Sequence, residues 1–120
     1  MLNEPDPVSI GFADEFEENL YRLSKKYRCI RSDIQPIIEQ LQAGDFTGDR
    51  LVGMGEEYVI LKVRVKNSDI QKGKSAGYRL IYQIESQASV LLLTIYSKSE
   101  REDITPNEIR SILSQLNSDE

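Results

Sequence analysis

Near the middle of the chain, residues 59 to 66 alternate with a period of two. Val59, Leu61, Val63 and Val65 fall on one side, and Ile60, Lys62, Arg64 and Lys66 on the other. Successive side chains of a strand point to opposite faces, so this stretch predicts a β-strand with one apolar face and one cationic face. The apolar face needs a covering layer, which makes a lone helical bundle or a disordered chain untenable. At ~3.3 Å per residue the cations stand about 7 Å apart, close to the step between phosphates along a nucleic-acid strand. The same row also suits a solvated sheet face whose Lys and Arg residues blunt its surface.

The covering layer is legible upstream. Phe16, Leu20, Leu23 and Tyr27 share one helical face, which predicts a helix from Ala13 onward. Asp14, Glu15, Glu17 and Glu18 lie in its first turns and Lys25, Lys26 and Arg28 in its last, as the helix dipole favours. Ile30, Ile34, Ile37 or Ile38, and Leu41 predict a second helix, with Ser32 and Asp33 near its start, Pro36 in its first turn and Gly44 as its stop. The short link between the two predicts a helical hairpin.

Val8, Ile10 and Phe12 predict a short opening strand, and Gly48, Gly53 and Gly55 a glycine-rich loop. Residues 78–85 and 90–98, rich in aliphatic and aromatic side chains, predict two further strands after a flexible loop at 67–75. Tyr78 and Tyr82 alternate with Arg79 and Ile81, and are expected in the core with Leu80. Thr105-Pro106-Asn107-Glu108 forms a capping-box pattern before Ile109, Ile112, Leu113 and Leu116, which predicts a terminal helix. The expected fold is α+β: an N-terminal helical hairpin packed on a small, mostly antiparallel sheet and closed by a C-terminal helix, in a single domain spanning 1–120.

Several function classes are excluded by what the chain lacks. With no histidine and Cys29 as its one cysteine, it has neither a plausible zinc-ligand set nor the usual neutral-pH acid/base, and no metal or cofactor is expected. Lys72-Gly73-Lys74-Ser75 lacks the upstream glycine and spacer of a nucleotide-binding loop. The apolar run from Val90 to Ile95 is too short to span a membrane, and the opening residues, acidic and without a base, differ from a secretory leader. A cytoplasmic location is therefore expected. Glu100, Glu102 and Asp103 are read as a solvated turn before the last helix.

The net charge is −5, an unpromising value for a nucleic-acid binder, but its distribution is uneven. Between Tyr58 and Arg79, six bases (Lys62, Arg64, Lys66, Lys72, Lys74 and Arg79) stand against Asp69 alone, a local balance of +5.

The segment Gly77-Tyr78-Arg79-Leu80-Ile81-Tyr82-Gln83 resembles the strand signature of RelE-type toxins, in which a glycine and an aromatic precede an arginine, then an apolar pair and a tyrosine. Leu61-Lys62-Val63-Arg64-Val65 resembles that family's basic strand, and the run from Leu93 to Glu100 resembles the last strand of its HigB-like members. The resemblance covers roughly residues 8 to 116. It implies the toxin of a type II toxin–antitoxin pair, a metal-free endoribonuclease that cuts translated mRNA at the ribosome and is held in check by a cognate antitoxin protein. Carried over, it makes Arg79 the phosphate-binding residue, Lys62 and Arg64 the transition-state cations, and Tyr96 a base-stacking residue. Lys98 becomes a phosphate contact, and Lys66, Lys72 and Lys74 of the basic stretch, with Arg101, are the further RNA-binding candidates. Ser99 stands where the family has a further arginine, and Ile104 or Thr105 where it has a late tyrosine. The related ParE toxins imply an alternative, a noncatalytic inhibitor of DNA gyrase, and a degenerate domain that only binds its antitoxin is another.

Overall fold

The structure is a computed structural model that describes residues 6–70 and 76–118. The elements run β1 (Ser9–Phe12), α1 (Asp14–Lys26), α2 (Ile30–Gln42), β2 (Asp49–Arg50), β3 (Val59–Val65), β4 (Tyr78–Ser86), β5 (Ser89–Ser97) and α3 (Pro106–Ser118). The strands form one five-stranded sheet in the order β1-β5-β4-β3-β2. The β3-β4-β5 meander is antiparallel, as its turn-separated aliphatic runs predicted. β1 pairs parallel with β5, which makes the sheet mixed. That pairing joins segments about eighty residues apart and leaves no local signature. β2, a two-residue strand paired with β3, lies inside the stretch expected to be only a glycine-rich loop.

Two core layers flank the sheet. On one side Phe16 and Leu23 of α1 and Ile30, Ile34 and Leu41 of α2 pack with Leu61, Val63, Val65, Leu80, Tyr82 and Leu92. These are the aliphatic positions of the alternating pattern, and Tyr78 and Tyr82 are fully buried among them. On the other side Ile109, Ile112 and Leu113 of α3 pack with Ile60, Ile81 and Leu93. A bulge near Ile81 and Tyr82 pairs Ile81 with Thr94 and Tyr82 with Leu92, so Leu93 is the extra residue. Leu92 and Leu93 consequently serve opposite cores. Burial on both faces explains why β5 reads as a continuous apolar run rather than an alternating one.

Local signals explain most helix boundaries. α1 carries acids in its first turn and Lys25 and Lys26 in its last; Arg28, expected there too, lies beyond its end. At α3 the capping box forms in full: Thr105 Oγ1 accepts from Glu108 N–H at 3.2 Å, and a Glu108 carboxylate oxygen accepts from Thr105 N–H at 3.1 Å. α2 stops at Gly44, whose φ of 87° carries the chain out of the helix. Pro36 corrects the expected start of α2, because the helix already begins at Ile30 and the proline lies inside it. Pro36 is exposed, so the carbonyl left without an intrahelical donor can be satisfied by water. Among the described residues no helix is long and apolar enough to cross a membrane.

Gly77 leads into β4 where the backbone passes against the end of β3. A Cβ there would lie 2.1 Å from the Val65 carbonyl oxygen and 3.1 Å from the Asn67 nitrogen. Because both obstacles are backbone, neither can rotate away. Gly77→Ala is therefore expected to destabilise the fold by roughly 1–3 kcal/mol, measured as a lowered denaturant midpoint with unchanged slope. An unchanged midpoint would contradict the close approach.

Candidate functional site

Strand register assembles the site. Arg64 on β3 stands opposite Arg79 on β4, and Arg79 stands opposite Tyr96 on β5; Lys62 lies two residues before Arg64 and opposite Ile81. Paired residues on adjacent strands share a face, so Lys62, Arg64, Arg79 and Tyr96 all belong to the side that also carries α3. α3 covers the Ile60–Ile81–Leu93 part of that side, and the cationic residues form the remainder.

Their environments differ sharply. Arg64 is exposed and makes no ion pair among the described residues. Arg79 is only 4% exposed, and its Nη1 donates to the Tyr78 carbonyl at 3.1 Å. Burial, and then the like charge of Arg64, lowers its pKa from the ordinary guanidinium value, while Tyr96 and Asp103 oppose that shift. Arg79, the expected phosphate-binding residue, thus forms the floor of the site. Tyr96 is likewise 4% exposed and packs in the α3 core, so its ring is not presented for stacking on a base.

The residue that sequence reasoning passed over is Asp103. It is exposed in the turn before α3, and its Oδ1 accepts from Ile104 N–H at 2.8 Å, Tyr96 OH at 3.2 Å and Lys62 Nζ at 3.3 Å. The Ile104 N–H, followed by Lys62 and Tyr96, holds the Asp103 carboxyl below the ordinary carboxylate range. No local pattern could have revealed this, since Lys62 is forty-one residues away in sequence.

Asp103 belongs to a segment, 98–105, tied down along its length. Ser99 bonds the Tyr27 hydroxyl at 3.2 Å, and Glu100 pairs with Arg22 at 3.0 Å and Lys26 at 3.6 Å, both on α1. Lys98 donates to the Glu102 carbonyl at 2.5 Å. Arg101 makes a two-pronged contact with Glu108 at 2.7 and 2.8 Å and stands over the Tyr96 ring, 5.4 Å from its centroid. Arg101 and Lys98, both expected to meet RNA, are thus engaged within the chain. Lys66 is exposed just past β3, and Lys72 and Lys74 lie outside the described residues.

Beside Asp103 an apolar cleft of about 210 Å³ is lined by Leu51, Val52, Ile104, Pro106 and Ile109. It offers the accessible apolar surface that the buried Tyr96 ring does not. Among the described residues no group of three or more His, Cys, Asp or Glu is arranged to hold a metal ion. The chain matches no protein-family model, and no curated protein is significantly similar to it.

Burial, then the charge and hydrogen bond of Asp103, push the Tyr96 phenol up to about 12 from an ordinary value near 10. A pKa raised by folding favours the native state below the unfolded value and loses that contribution as pH rises through the folded value. Stability is therefore expected to fall between pH 10 and about 12. In Asp103→Asn the Tyr96 titration, followed by NMR of its ring carbons, is expected to move back toward 10; an unmoved titration would contradict the Tyr96–Asp103 contact.

Proposed function

We propose that this chain is a RelE-like toxin of a type II toxin–antitoxin pair that grips and cuts mRNA without a metal. The observation that carries the reading is the convergence of Lys62, Arg64 and Arg79, from adjacent strands, on one side of the sheet, with Tyr96 beside Arg79. An RNA phosphodiester needs cations at such spacing, and the 2′-hydroxyl supplies the nucleophile from within the substrate. Exposed Arg64 is the best placed to meet a phosphate oxygen bidentately, and Lys62 can add a point charge beside it. Arg79 beneath them supplies a fixed positive field where charge develops on the phosphorane. The apolar cleft beside Asp103 suits the face of an unstacked base.

On this reading the partners are translated mRNA at the ribosome in the cytoplasm and a cognate antitoxin that covers the cationic side. The decisive experiment is induced expression in a bacterial host with primer extension on a reporter mRNA. Cuts within translated codons that disappear in Arg79→Ala and Arg64→Ala are expected. Growth arrest with intact transcripts and altered DNA supercoiling would instead favour the ParE-like alternative, and no arrest at all would favour a domain that only binds its antitoxin.

Because Arg64 is exposed, Arg64→Ala is expected to change stability by no more than about 0.5 kcal/mol. It should nevertheless weaken single-stranded RNA binding and flatten the slope of log affinity against log salt by about 0.7. Fluorescence anisotropy at several salt concentrations checks both; an unchanged slope would remove Arg64 from the interface.

A further inference from the structure

The cationic side carries its own anion. On the RNA-binding reading of this face, we propose that Asp103 is a built-in counter-anion that occupies the phosphate position beside Lys62, and that RNA enters by displacing its carboxylate. Three donors from three parts of the chain, Lys62 Nζ on β3, Tyr96 OH on β5 and the Ile104 backbone N–H, meet one carboxylate oxygen at 3.3, 3.2 and 2.8 Å. This is how a protein binds an oxyanion, with charge, hydroxyl and amide converging on one oxygen. Asp103 Oδ2 makes no hydrogen bond among the described residues.

The contact is built to be displaced. The Asp103 side chain is 62% exposed and that of Lys62 25%, so water and salt screen the pair and its net strength is small. Charge keeps it occupied at neutral pH, since the carboxyl is held below its ordinary range. The backbone around it is anchored: Glu100 is fixed to Arg22 and Lys26 on α1, and Arg101 to Glu108 at the start of α3 and, through Nε, to the Asp103 carbonyl at 3.0 Å. These contacts hold the main chain and not the carboxylate, so the exposed Asp103 side chain can turn away from Lys62 while the segment stays attached. A phosphodiester that also reaches Arg64 has a charge partner that Asp103 lacks, and this difference lets RNA win the exchange.

Removing the anion should open the face. Asp103→Asn retains an oxygen that can accept from Ile104 N–H while losing the charge that holds Lys62. Its affinity for a single-stranded RNA oligonucleotide at low salt is expected to rise roughly three- to tenfold, with a salt slope steeper by about 0.7. Glu102→Gln removes the same charge one residue away, from an exposed side chain, and is expected to leave affinity within about twofold. Equal effects of the two variants, or weaker binding by Asp103→Asn, would overturn the proposal. So would unchanged binding with cleavage lost, which would make Asp103 a proton acceptor instead.

If neither wild type nor Asp103→Asn binds RNA, the nuclease reading fails, and the counter-anion is then tested with inorganic pyrophosphate alone. Lys62 Nζ resonances that shift at lower pyrophosphate in Asp103→Asn than in wild type support it; identical titrations overturn it. In the wild type, hydrogen exchange at Ile104 N–H should accelerate on RNA binding, and unaltered protection with RNA bound would also overturn the displacement.

Discussion

Two arginines facing each other across neighbouring strands are the constraint on which the rest of the molecule turns. Arg64 and Arg79 are directly paired in the β3–β4 register, a placement that sets their Cβ atoms about 5 Å apart and is destabilising between like charges. Arg79 is also buried, which penalises its charge further. Part of that cost is offset by the Tyr78 carbonyl it donates to, and part by the nearby anion of Asp103. A sheet retains such a pair only where the surrounding structure over-determines it, and such places are commonly functional. An anion brought to this side of the sheet relieves a repulsion already present, and therefore needs less from its own contacts.

The architecture explains why one surface is both core and site. Alternation along β3 and β4 sends the aliphatic residues toward α1 and α2 and leaves the other face mixed, with Ile60 and Ile81 adjoining Lys62, Arg64 and Arg79. α3 covers the apolar half, and the capping box at Thr105 and Glu108 fixes where it begins. The chain leaving β5 at Ser97 must therefore cross the edge of the cationic half to reach α3, which brings Asp103 beside Lys62. The connection between two elements thereby becomes part of the site.

What the sequence made legible was local. The four-three-four spacing of Phe16, Leu20, Leu23 and Tyr27, the alternation of Val59 to Val65 and the Thr105–Glu108 cap each identify an element through contacts a few residues long. The shared face of Lys62, Arg64 and Arg79 followed from period two once the β3–β4 pairing was assumed. What escaped was set by distant partners: the parallel docking of β1 on β5, the β2 pairing, the burial of Arg79 and Tyr96 beside α3, and the capture of Asp103 by Lys62. Alternation tells which residues share a face, but not which helix will lie on it. Pro36 was misplaced for the opposite reason, because a local rule about first turns was applied where α2 had already started at Ile30.

The claim that these strands present one anion-binding surface is open to a single direct measurement. Unlabelled single-stranded RNA is titrated into isotopically labelled protein while backbone and Arg side-chain resonances are followed. The account predicts perturbations confined to Lys62, Arg64, Arg79, Tyr96 and the 98–105 segment, with α1 beyond its contact with Glu100 and all of α2 unmoved. Perturbations centred on α1 and α2, or shifts absent from the Arg64 and Arg79 guanidiniums at saturating RNA, would contradict it.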